Sequence, residues 1–239
     1  MPLWRKKVIN RKSLVVMTPS HQGDVVTGYA SGLFQCTDLI GALAFVNGMS
    51  EPNLARNLIA HAFLQLPEEI EWLVCIDADM EFSRQDFIYL CENIAVDNQP
   101  GTLGVLGVGK SLEAHNHAIV CAEYARRPIK HNSERRLGPA KFGLGFTRIH
   151  RDVFVSLQTV VNSEGDSLVP TFMREGQLLH DYFPTGAQPD GHWLSEDHGF
   201  FRLVQLAGIV PRIETRTRLV HWGKHGAVYE SGDVTSPVL

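Results

Sequence analysis

Five consecutive apolar residues, Trp72–Ile76, run directly into the acidic tripeptide Asp77-Ala78-Asp79. An uninterrupted apolar run of this length is typical of a strand that is buried on both faces of a parallel sheet. Two carboxylates at the end of such a strand are costly unless a positive group lies beside them. The feature therefore predicts a buried central strand whose carboxyl end carries a charged site.

Short apolar runs and helix-like segments alternate along the first half of the chain. The predicted elements are a strand at 14–17, a helix within 23–46 with a further strand at 42–46, a helix that Ser50 and Pro52 begin and that ends near 66, the strand at 72–76, a helix from Ser83, and a strand at 105–108. This alternation predicts the α/β class, with a Rossmann-type, mostly parallel sheet flanked by helices. The 239 residues suit a single domain. Ligands of such sheets bind beyond the carboxyl ends of the strands.

The second half of the chain is less regular. Residues 126–141 are strongly basic, and residues 162–192 show little pattern, which indicates a long loop. A helix is predicted from Ser195 to about residue 206, and short strands are predicted near 209–213 and 217–221.

Composition excludes several classes of protein. The 22 Lys and Arg against 26 Asp and Glu give a net charge of −4, so the chain as a whole is not a polycation. No stretch approaches the ~20 apolar residues of a membrane span, and the basic N-terminus is not typical of a secretory signal. The cysteines are far apart and form no C-x-x-C pair: Cys36, Cys75, Cys91 and Cys121. We therefore expect free thiols and a cytoplasmic location.

The pair Asp77 and Asp79 has two interpretations. Carboxylate oxygens at a strand end are ligands that Mg²⁺ or Mn²⁺ prefers, and such an ion would neutralise a diphosphate leaving group. The alternative is a pair of solvated loop acids that precede the next helix.

Three other short motifs carry candidate chemistry. Ser195-Glu196-Asp197 supplies either a helix N-cap with two acids that favour the helix dipole, or an acceptor-binding carboxylate and general base. His221 follows the apolar pair Leu219-Val220, where it is either a metal ligand or a partly buried structural histidine. Arg56 is either an exposed helix charge or a phosphate contact.

A hydrolase motif and a dinucleotide-binding motif are missing from the sequence. It contains no G-x-S-x-G, so an α/β-hydrolase interpretation loses its main support. The glycines of Phe142-Gly-Leu-Gly-Phe146 do not have the spacing of a dinucleotide fingerprint.

Taken in order, these features resemble those of a GT-A-type, nucleotide-sugar-dependent glycosyltransferase, and the pattern is most similar to small, soluble bacterial and bacteriophage members. The elements that carry the resemblance are Val15-Val-Met-Thr-Pro19, Ala55-Arg-Asn57, Ile76-Asp-Ala-Asp-Met80, Gly143-Leu-Gly-Phe146, Ser195-Glu-Asp197 and His221-Trp-Gly223. The Asp-x-Asp element alone is unspecific, but the ordered set spans nearly the whole chain.

The resemblance implies a GT-A-like fold, a UDP-sugar as the donor and Mn²⁺ or Mg²⁺ as the metal. Residues 14–110 would form the half that binds nucleotide sugar and metal, and residues 111–239 the acceptor side. By this analogy the roles are Thr18 and Pro19 near the nucleobase, Arg56 near the nucleotide, Asp77 at the ribose or metal, Asp79 and His221 as metal ligands, Gly145 beside the sugar or acceptor, and Glu196 and Asp197 at the sugar or the acceptor hydroxyl. An inverting reaction would make Asp197 the base that deprotonates the acceptor, whereas a metal-ligating His near the C-terminus is also common among retaining relatives, so both stereochemical outcomes stay open.

The acceptor is the least determined part of this hypothesis. The basic stretch 126–141 is either an ordinary solvated loop or a surface for phosphate backbone. The second interpretation leads to the hypothesis that the acceptor is hydroxymethylpyrimidine in phage-type DNA, with the enzyme in the host cytoplasm. Polysaccharide, lipid-linked sugar and protein acceptors stay open.

Two competing functions stay open at this point. A nucleotidyltransferase on a related α/β scaffold would use the same carboxylates to hold a metal. A Gly-rich loop with a basic residue after the first strand would favour it, whereas Thr18–Asp24 contains one Gly and no Lys or Arg. A non-catalytic nucleic-acid-binding module would rest on the basic stretch alone and would leave the acids at the strand end unexplained.

Overall fold

The centre of the protein is a six-stranded mixed sheet. The structure is a computed structural model that describes residues 11–92, 118–122, 143–187, 191, 193–222 and 228–230. From one edge to the other, the strands are β11 (Arg212–Glu214), β5 (Ile119–Ala122), β6 (Phe146–His150), β3 (Trp72–Ile76), β1 (Leu14–Ser20) and β2 (Ala42–Asn47). Strand β1 is parallel to β2 and β3, and β11 is parallel to β5, whereas β6 is antiparallel to both of its neighbours. The predicted mostly parallel α/β fold is confirmed.

Helices cover both faces of this sheet. They are α1 (Thr27–Gln35), α2 (Pro52–Gln65), α3 (Arg84–Cys91), α4 (Arg151–Leu157) and α5 (Glu196–Leu206), and a 3₁₀ turn (Arg11–Ser13) precedes β1. Alternate side chains of β3 belong to opposite cores: Leu73 and Cys75 pack with α2, α4 and α5, whereas Val74 packs with α1 and α3. Because both faces of β3 are buried, its sequence is a continuous apolar run.

Small sheets and hairpins complete the fold. The strands β4 (Met80–Glu81), β12 (Val220–Trp222) and β13 (Val228–Glu230) form an antiparallel sheet in the order β13-β12-β4. Two further antiparallel pairs are β7 (Thr171–Arg174) with β8 (Gln177–His180), and β9 (Gly186–Ala187) with β10 (Trp193–Leu194). The sheet that contains β12 brings the C-terminal part of the described chain next to the segment that follows β3.

Local sequence signals explain the starts of α2 and α3. Ser83 and Asp86 form a capping box, as expected of a Ser before an acidic third residue. Pro52 is the first residue of α2, but the N-cap is Glu51 rather than Ser50. Ser195 is the N-cap of α5 without a side-chain capping bond, and its Oγ lies 2.7 Å from Nδ1 of His198 instead.

The prediction of a long loop over 162–192 is wrong in the part that the structure describes. The hairpin β7–β8 turns at Glu175 and Gly176, which have φ angles of 50° and 81°. Two successive left-handed residues close a two-residue hairpin with the twist that its strands need.

The helix predicted within 23–46 covers only residues 27–35, and the alternative strand near 42–46 is confirmed as β2.

Some sequence predictions fall outside the described residues. These are the strand at 105–108 and the basic stretch 126–141. Among the described helices, none has both the length and the apolar character that a membrane span requires.

A close contact fixes helix α5 against the chain before it. A Cβ atom added to Gly199 would lie 1.9 Å from the carbonyl oxygen of Pro184. The neighbouring rings of Phe183 and Phe200 stack with their centroids 5.0 Å apart. Glycine at position 199 therefore sets how deeply the first turn of α5, which carries Glu196 and Asp197, lies in the molecule.

We expect Gly199→Ala to lower the free energy of unfolding by about 1–3 kcal/mol, because the added methyl group must displace backbone. Urea denaturation of wild type and variant measures the difference. The control is Gln205→Ala, which places alanine at an exposed position of the same helix. Equal stability of Gly199→Ala and wild type would contradict the close contact.

Candidate active site

The turn after β3 presents two carboxylates at the carboxyl end of the sheet. The backbone N–H of Asp77 donates to the carbonyl oxygen of Gly145 at 2.9 Å, and the N–H of Val26, before α1, donates to the carbonyl oxygen of Ala78 at 2.9 Å. The N–H of Met80 closes the turn on the carbonyl oxygen of Asp77 at 3.1 Å. The side chains of Asp77 and Asp79 thus project from a turn that is held by neighbouring elements on both sides.

Arg56 lies in the first half of α2 and is 5% exposed. Its Nη2 donates to Oδ2 of Asp77 at 3.1 Å and lies 3.1 Å from Oδ1 without hydrogen-bonding geometry. Oxygens of Glu196 and Asp197 lie 3.9 Å from the same guanidinium group. The guanidinium is therefore placed between the acid at the end of β3 and the acids at the start of α5.

The guanidinium retains unused hydrogen-bonding capacity. Within the described residues, its Nε and Nη1 are buried without a hydrogen-bond partner. Burial alone lowers the pKa of Arg56, but the charges of Asp77, Asp197 and Glu196 outweigh it, so the pKa lies above the ordinary value and the group stays protonated. A buried cation with free donors beside a cavity is suited to an anionic ligand.

Asp197 is the most strongly perturbed carboxylate of the site. Burial raises its pKa most, Arg56 opposes this effect, and the charges of Glu196 and Asp77 add to it, which brings the pKa of Asp197 to about 6. The backbone N–H of Leu144 also donates to this carboxylate, while its Oδ1 is buried without a hydrogen-bond partner among the described residues. A carboxylate with a pKa near neutrality can accept a proton and return it to solvent.

Pairing between β12 and β4 brings His221 to Asp79. The register pairs His221 with Met80, and the N–H of Trp222 donates to the carbonyl oxygen of Asp79 at 2.9 Å. As a result, Nε2 of His221 lies 3.0 Å from Oδ2 of Asp79. The carboxylate and the imidazole are both partly exposed, at 46% and 38%.

A divalent cation fits the chemistry of these side chains. Even with Arg56 counted, the four carboxylates Asp77, Asp79, Glu196 and Asp197 leave an excess of negative charge. Asp79 and His221 supply the oxygen and nitrogen ligands that Mn²⁺ accepts. Within the described part of the chain, however, no three His, Cys, Asp or Glu side chains are already gathered around one point. Asp77, which the sequence places among the metal ligands, is instead bound to Arg56.

A cavity of about 520 Å³ opens beside these groups. Its described lining follows the carboxyl ends of three adjacent strands. It includes Ala78 and Asp79 after β3, Pro19 and Ser20 at the end of β1 with His21, Gln22 and Asp24 after it, and Met49, Ser50 and Pro52 after β2; Trp222 of β12 joins them. Arg56, Asp77 and Glu196 also line it. Since neighbouring strands are about 4.8 Å apart, the cavity extends across roughly 10 Å of the sheet edge.

Two predicted contacts need correction. Thr18 is fully buried and its hydroxyl pairs with that of Tyr29, so its side chain faces the core rather than the cavity. Gly145 is also buried and is not among the described lining residues; its carbonyl oxygen holds the N–H of Asp77. Gly145 supports the acidic turn beneath the cavity, and Thr18 joins β1 to α1. Pro19, Arg56, Asp77, Asp79 and Glu196 line the cavity, and Asp197 and His221 contact residues that do.

Sequence reasoning missed several residues of the site. His21, whose Nδ1 lies 3.1 Å from the carbonyl oxygen of Met49, links the loops that follow β1 and β2. Glu81 accepts a hydrogen bond from Nε1 of Trp222 at 2.7 Å. The sequence signal that could have identified these residues is their position, because each of them follows a strand of the sheet or the acidic turn.

A second cavity, of about 940 Å³, lies at the opposite end of α2. Its lining includes Arg151, whose guanidinium donates to the carbonyl oxygens of Leu64 at 3.0 Å and of Phe63 and Leu66 at 3.1 Å. These bonds satisfy the carbonyl groups that the end of a helix leaves unpaired. Arg151 therefore has a structural role, and the smaller cavity beside Arg56 is the better candidate site.

Comparisons with known proteins give information about the fold. No family model matches the sequence, and no curated protein matches it. The crystal structure of A197 from STIV aligns with 95% of this chain and 97% of its own, with a TM-score of 0.51 and 14% sequence identity. At this identity the similarity shows the fold alone.

Two glycosyltransferase structures align less well. A glycosyltransferase involved in the glycosylation of the major capsid of PBCV-1 aligns over 59% of this chain and 61% of its own, with a TM-score of 0.35 and 12% identity. The catalytic domain of Drosophila beta1,4-galactosyltransferase 7, in complex with xylobiose, aligns over 85% of this chain and 65% of its own, with a TM-score of 0.42 and 11% identity. This chain thus spans less than two thirds of either structure, and TM-scores in this range carry no argument about activity.

We expect Asp197→Asn to stabilise the protein more at pH 8 than at pH 4. The pKa of Asp197 is raised from 3.8 to about 6 in the folded state, so the folded protein holds a proton that the unfolded chain releases. The stability that protonated Asp197 contributes to the wild-type protein is therefore lost as the pH rises between these two pKa values. Asparagine does not ionise, so the variant does not lose this stability. Urea denaturation at both pH values measures it, with Glu69→Gln, an exposed substitution, as control. A gain in stability that is the same at both pH values would contradict the raised pKa.

Proposed function

We propose that the chain is a metal-dependent glycosyltransferase that moves a sugar from a nucleotide sugar, in the first place a UDP-sugar, to an acceptor hydroxyl. The observation that carries this proposal is the contact network at one cavity. Arg56 is bound to Asp77 and lies 3.9 Å from Glu196 and Asp197, while His221 lies 3.0 Å from Asp79. These residues come from four separate motifs of the sequence resemblance.

Asp79 and His221 are the residues that would hold Mn²⁺ or Mg²⁺, with water and ligand oxygens completing the coordination. When bound, the ion supplies positive charge to the diphosphate that leaves the sugar. Asp77 would act on the ligand through Arg56, a protonated residue that lines the cavity. This assignment differs from the expectation that Asp77 contacts the ribose or the metal directly.

Asp197 is the residue that we assign as general base. In an inverting transfer the acceptor oxygen attacks the anomeric carbon, the bond between that carbon and the diphosphate oxygen breaks, and the acceptor proton passes to Asp197. A pKa of about 6 suits this role near neutral pH. Glu196 lines the cavity, and we assign it the contact with a hydroxyl group of the sugar.

The loops after β1 and β2 would receive the nucleoside. His21 and Met49 of these loops line the cavity, and Nδ1 of His21 lies 3.1 Å from the carbonyl oxygen of Met49. The nucleotidyltransferase alternative has less support, because the loop Pro19–Asp24 lines the cavity with one glycine and no Lys or Arg. The DNA acceptor hypothesis depends on residues 126–141 and stays a prediction.

Asp79→Asn should abolish the metal dependence of UDP binding, because an amide is a weaker ligand for a divalent cation than a carboxylate. Calorimetric titration with UDP, with and without Mn²⁺, measures this. We expect wild type to bind at least about tenfold more tightly with Mn²⁺, a difference of roughly 1.4 kcal/mol. In Asp79→Asn the two titrations should coincide.

The matched control is Glu69→Gln, which removes one exposed carboxylate at the far end of α2 and should bind like wild type. If wild-type protein bound UDP equally well with and without Mn²⁺, the proposed metal role of Asp79 and His221 would be wrong.

Asp197→Asn should remove transfer while UDP binding persists, because asparagine cannot accept the acceptor proton. A screen of nucleotide sugars for metal-dependent UDP release supplies the assay. The expected loss in kcat is about 10²–10⁴-fold, the usual contribution of a general base. Wild-type turnover in this variant would exclude Asp197 as the base, and Asp166→Asn, an exposed carboxylate elsewhere, is the control.

A further inference from the structure

Trp222 forms one wall of the candidate cavity. Its side chain is 36% exposed and lines the cavity together with Ala78 and Asp79. Its backbone N–H is bound to the carbonyl oxygen of Asp79 at 2.9 Å, which fixes the residue at the end of β3. A large partly exposed aromatic surface next to the proposed metal ligands has no assigned role in the function proposed above.

The orientation of this indole is set by Glu81. Nε1 of Trp222 donates to Oε2 of Glu81 at 2.7 Å across the pair of strands β4 and β12. Tryptophan has a single polar atom, so this bond uses its entire hydrogen-bonding capacity and leaves the faces of the ring for apolar contact.

The side chain of Glu81 packs closely against the backbone of Gly28 in α1. A Cβ atom on Gly28 would lie 2.4 Å from Cγ and 2.6 Å from Cβ of Glu81. These are the atoms of Glu81 nearest its backbone, so the side chain cannot move away by rotating its far end. The carboxylate also lies beside the first turn of a helix, where negative charge is favoured. Gly28, Glu81 and Trp222 thus form a chain of contacts from α1 to the cavity.

We propose that Trp222 is the surface against which the sugar of the donor packs, and that Gly28 and Glu81 are its positioning residues. The inference rests on the proposed function, and it names the part of the donor that contacts the indole ring. A pyranose ring presents a face of C–H groups, and an indole face is the apolar partner that such a face needs. The position of Trp222 beside Asp79 and His221 favours the sugar over the nucleoside, because His21 and Met49 follow strands β1 and β2, one and two positions away from β3 in the sheet.

The test compares two affinities in each variant. Binding of UDP, UDP-glucose, UDP-galactose and UDP-N-acetylglucosamine is measured by calorimetry in Mn²⁺. Trp222→Leu should weaken the best-bound UDP-sugar about tenfold while UDP weakens less than about twofold, because only the sugar loses its aromatic partner. Trp222→Phe keeps a ring and should lose less than Trp222→Leu.

Variants of the positioning residues should alter the ratio of the affinity for the UDP-sugar to the affinity for UDP. Gly28→Ala and Glu81→Ala should each reduce the preference for the UDP-sugar over UDP, whereas Glu81→Gln keeps an oxygen acceptor for the indole N–H and should retain most of it. The recovery in Glu81→Gln separates positioning from a general loss of folding. Thermal unfolding identifies a variant that does not fold, and the other positioning variant then carries the test.

The outcomes distinguish this inference from the proposed function. If wild type binds UDP but Trp222→Leu leaves the preference for the UDP-sugar unchanged, or weakens UDP and UDP-sugar equally, the sugar contact is wrong and the proposed function stands. If wild type binds neither UDP nor any of the three UDP-sugars, both are overturned.

Discussion

The guanidinium of Arg56 lies between carboxylates that would otherwise repel one another at the edge of the sheet. It is bound to Asp77 at the end of β3 and faces Glu196 and Asp197 at the start of α5. At an effective dielectric constant of about 20, two like charges about 4 Å apart cost roughly 4 kcal/mol. One buried cation thus allows two halves of an acidic site to approach each other. It does not neutralise them fully: burial raises the pKa of Asp197 most, and the negative charges of Glu196 and Asp77 add to that effect.

Main-chain bonds hold this arrangement as much as side chains do. The carbonyl oxygen of Gly145 and the N–H groups of Val26 and Trp222 bind the acidic turn from three different elements. The carboxylates therefore project from a backbone that is fixed before any ligand arrives. Such preorganisation is what a site needs if charge is to develop on a bound ligand without rearrangement of the protein.

The sequence made some parts of this site predictable and others not. The burial of β3 and the position of Asp77 and Asp79 follow from a run of apolar residues that ends in acids, a local pattern. The contact of His221 with Asp79 depends on the pairing of β12 with β4, and a family resemblance anticipated it where local pattern could not. The partner of Arg56 was not predictable, because a guanidinium suits a phosphate and a carboxylate equally well. Thr18 and Gly145 were misassigned for a related reason: a residue at a strand end can face either the ligand or the core, and sequence does not distinguish the two sides.

The pairing of β12 with β4 also bears on the order in which the molecule forms. Met80 and His221 are paired in space but far apart in the sequence. Strand β12 also belongs to a sheet that is separate from the six central strands. Closing so large a loop is entropically unfavourable until the intervening chain is compact. The histidine should thus reach its aspartate late in folding, after the central layers have assembled. A nascent chain would then acquire its architecture before it acquires the contact between His221 and Asp79.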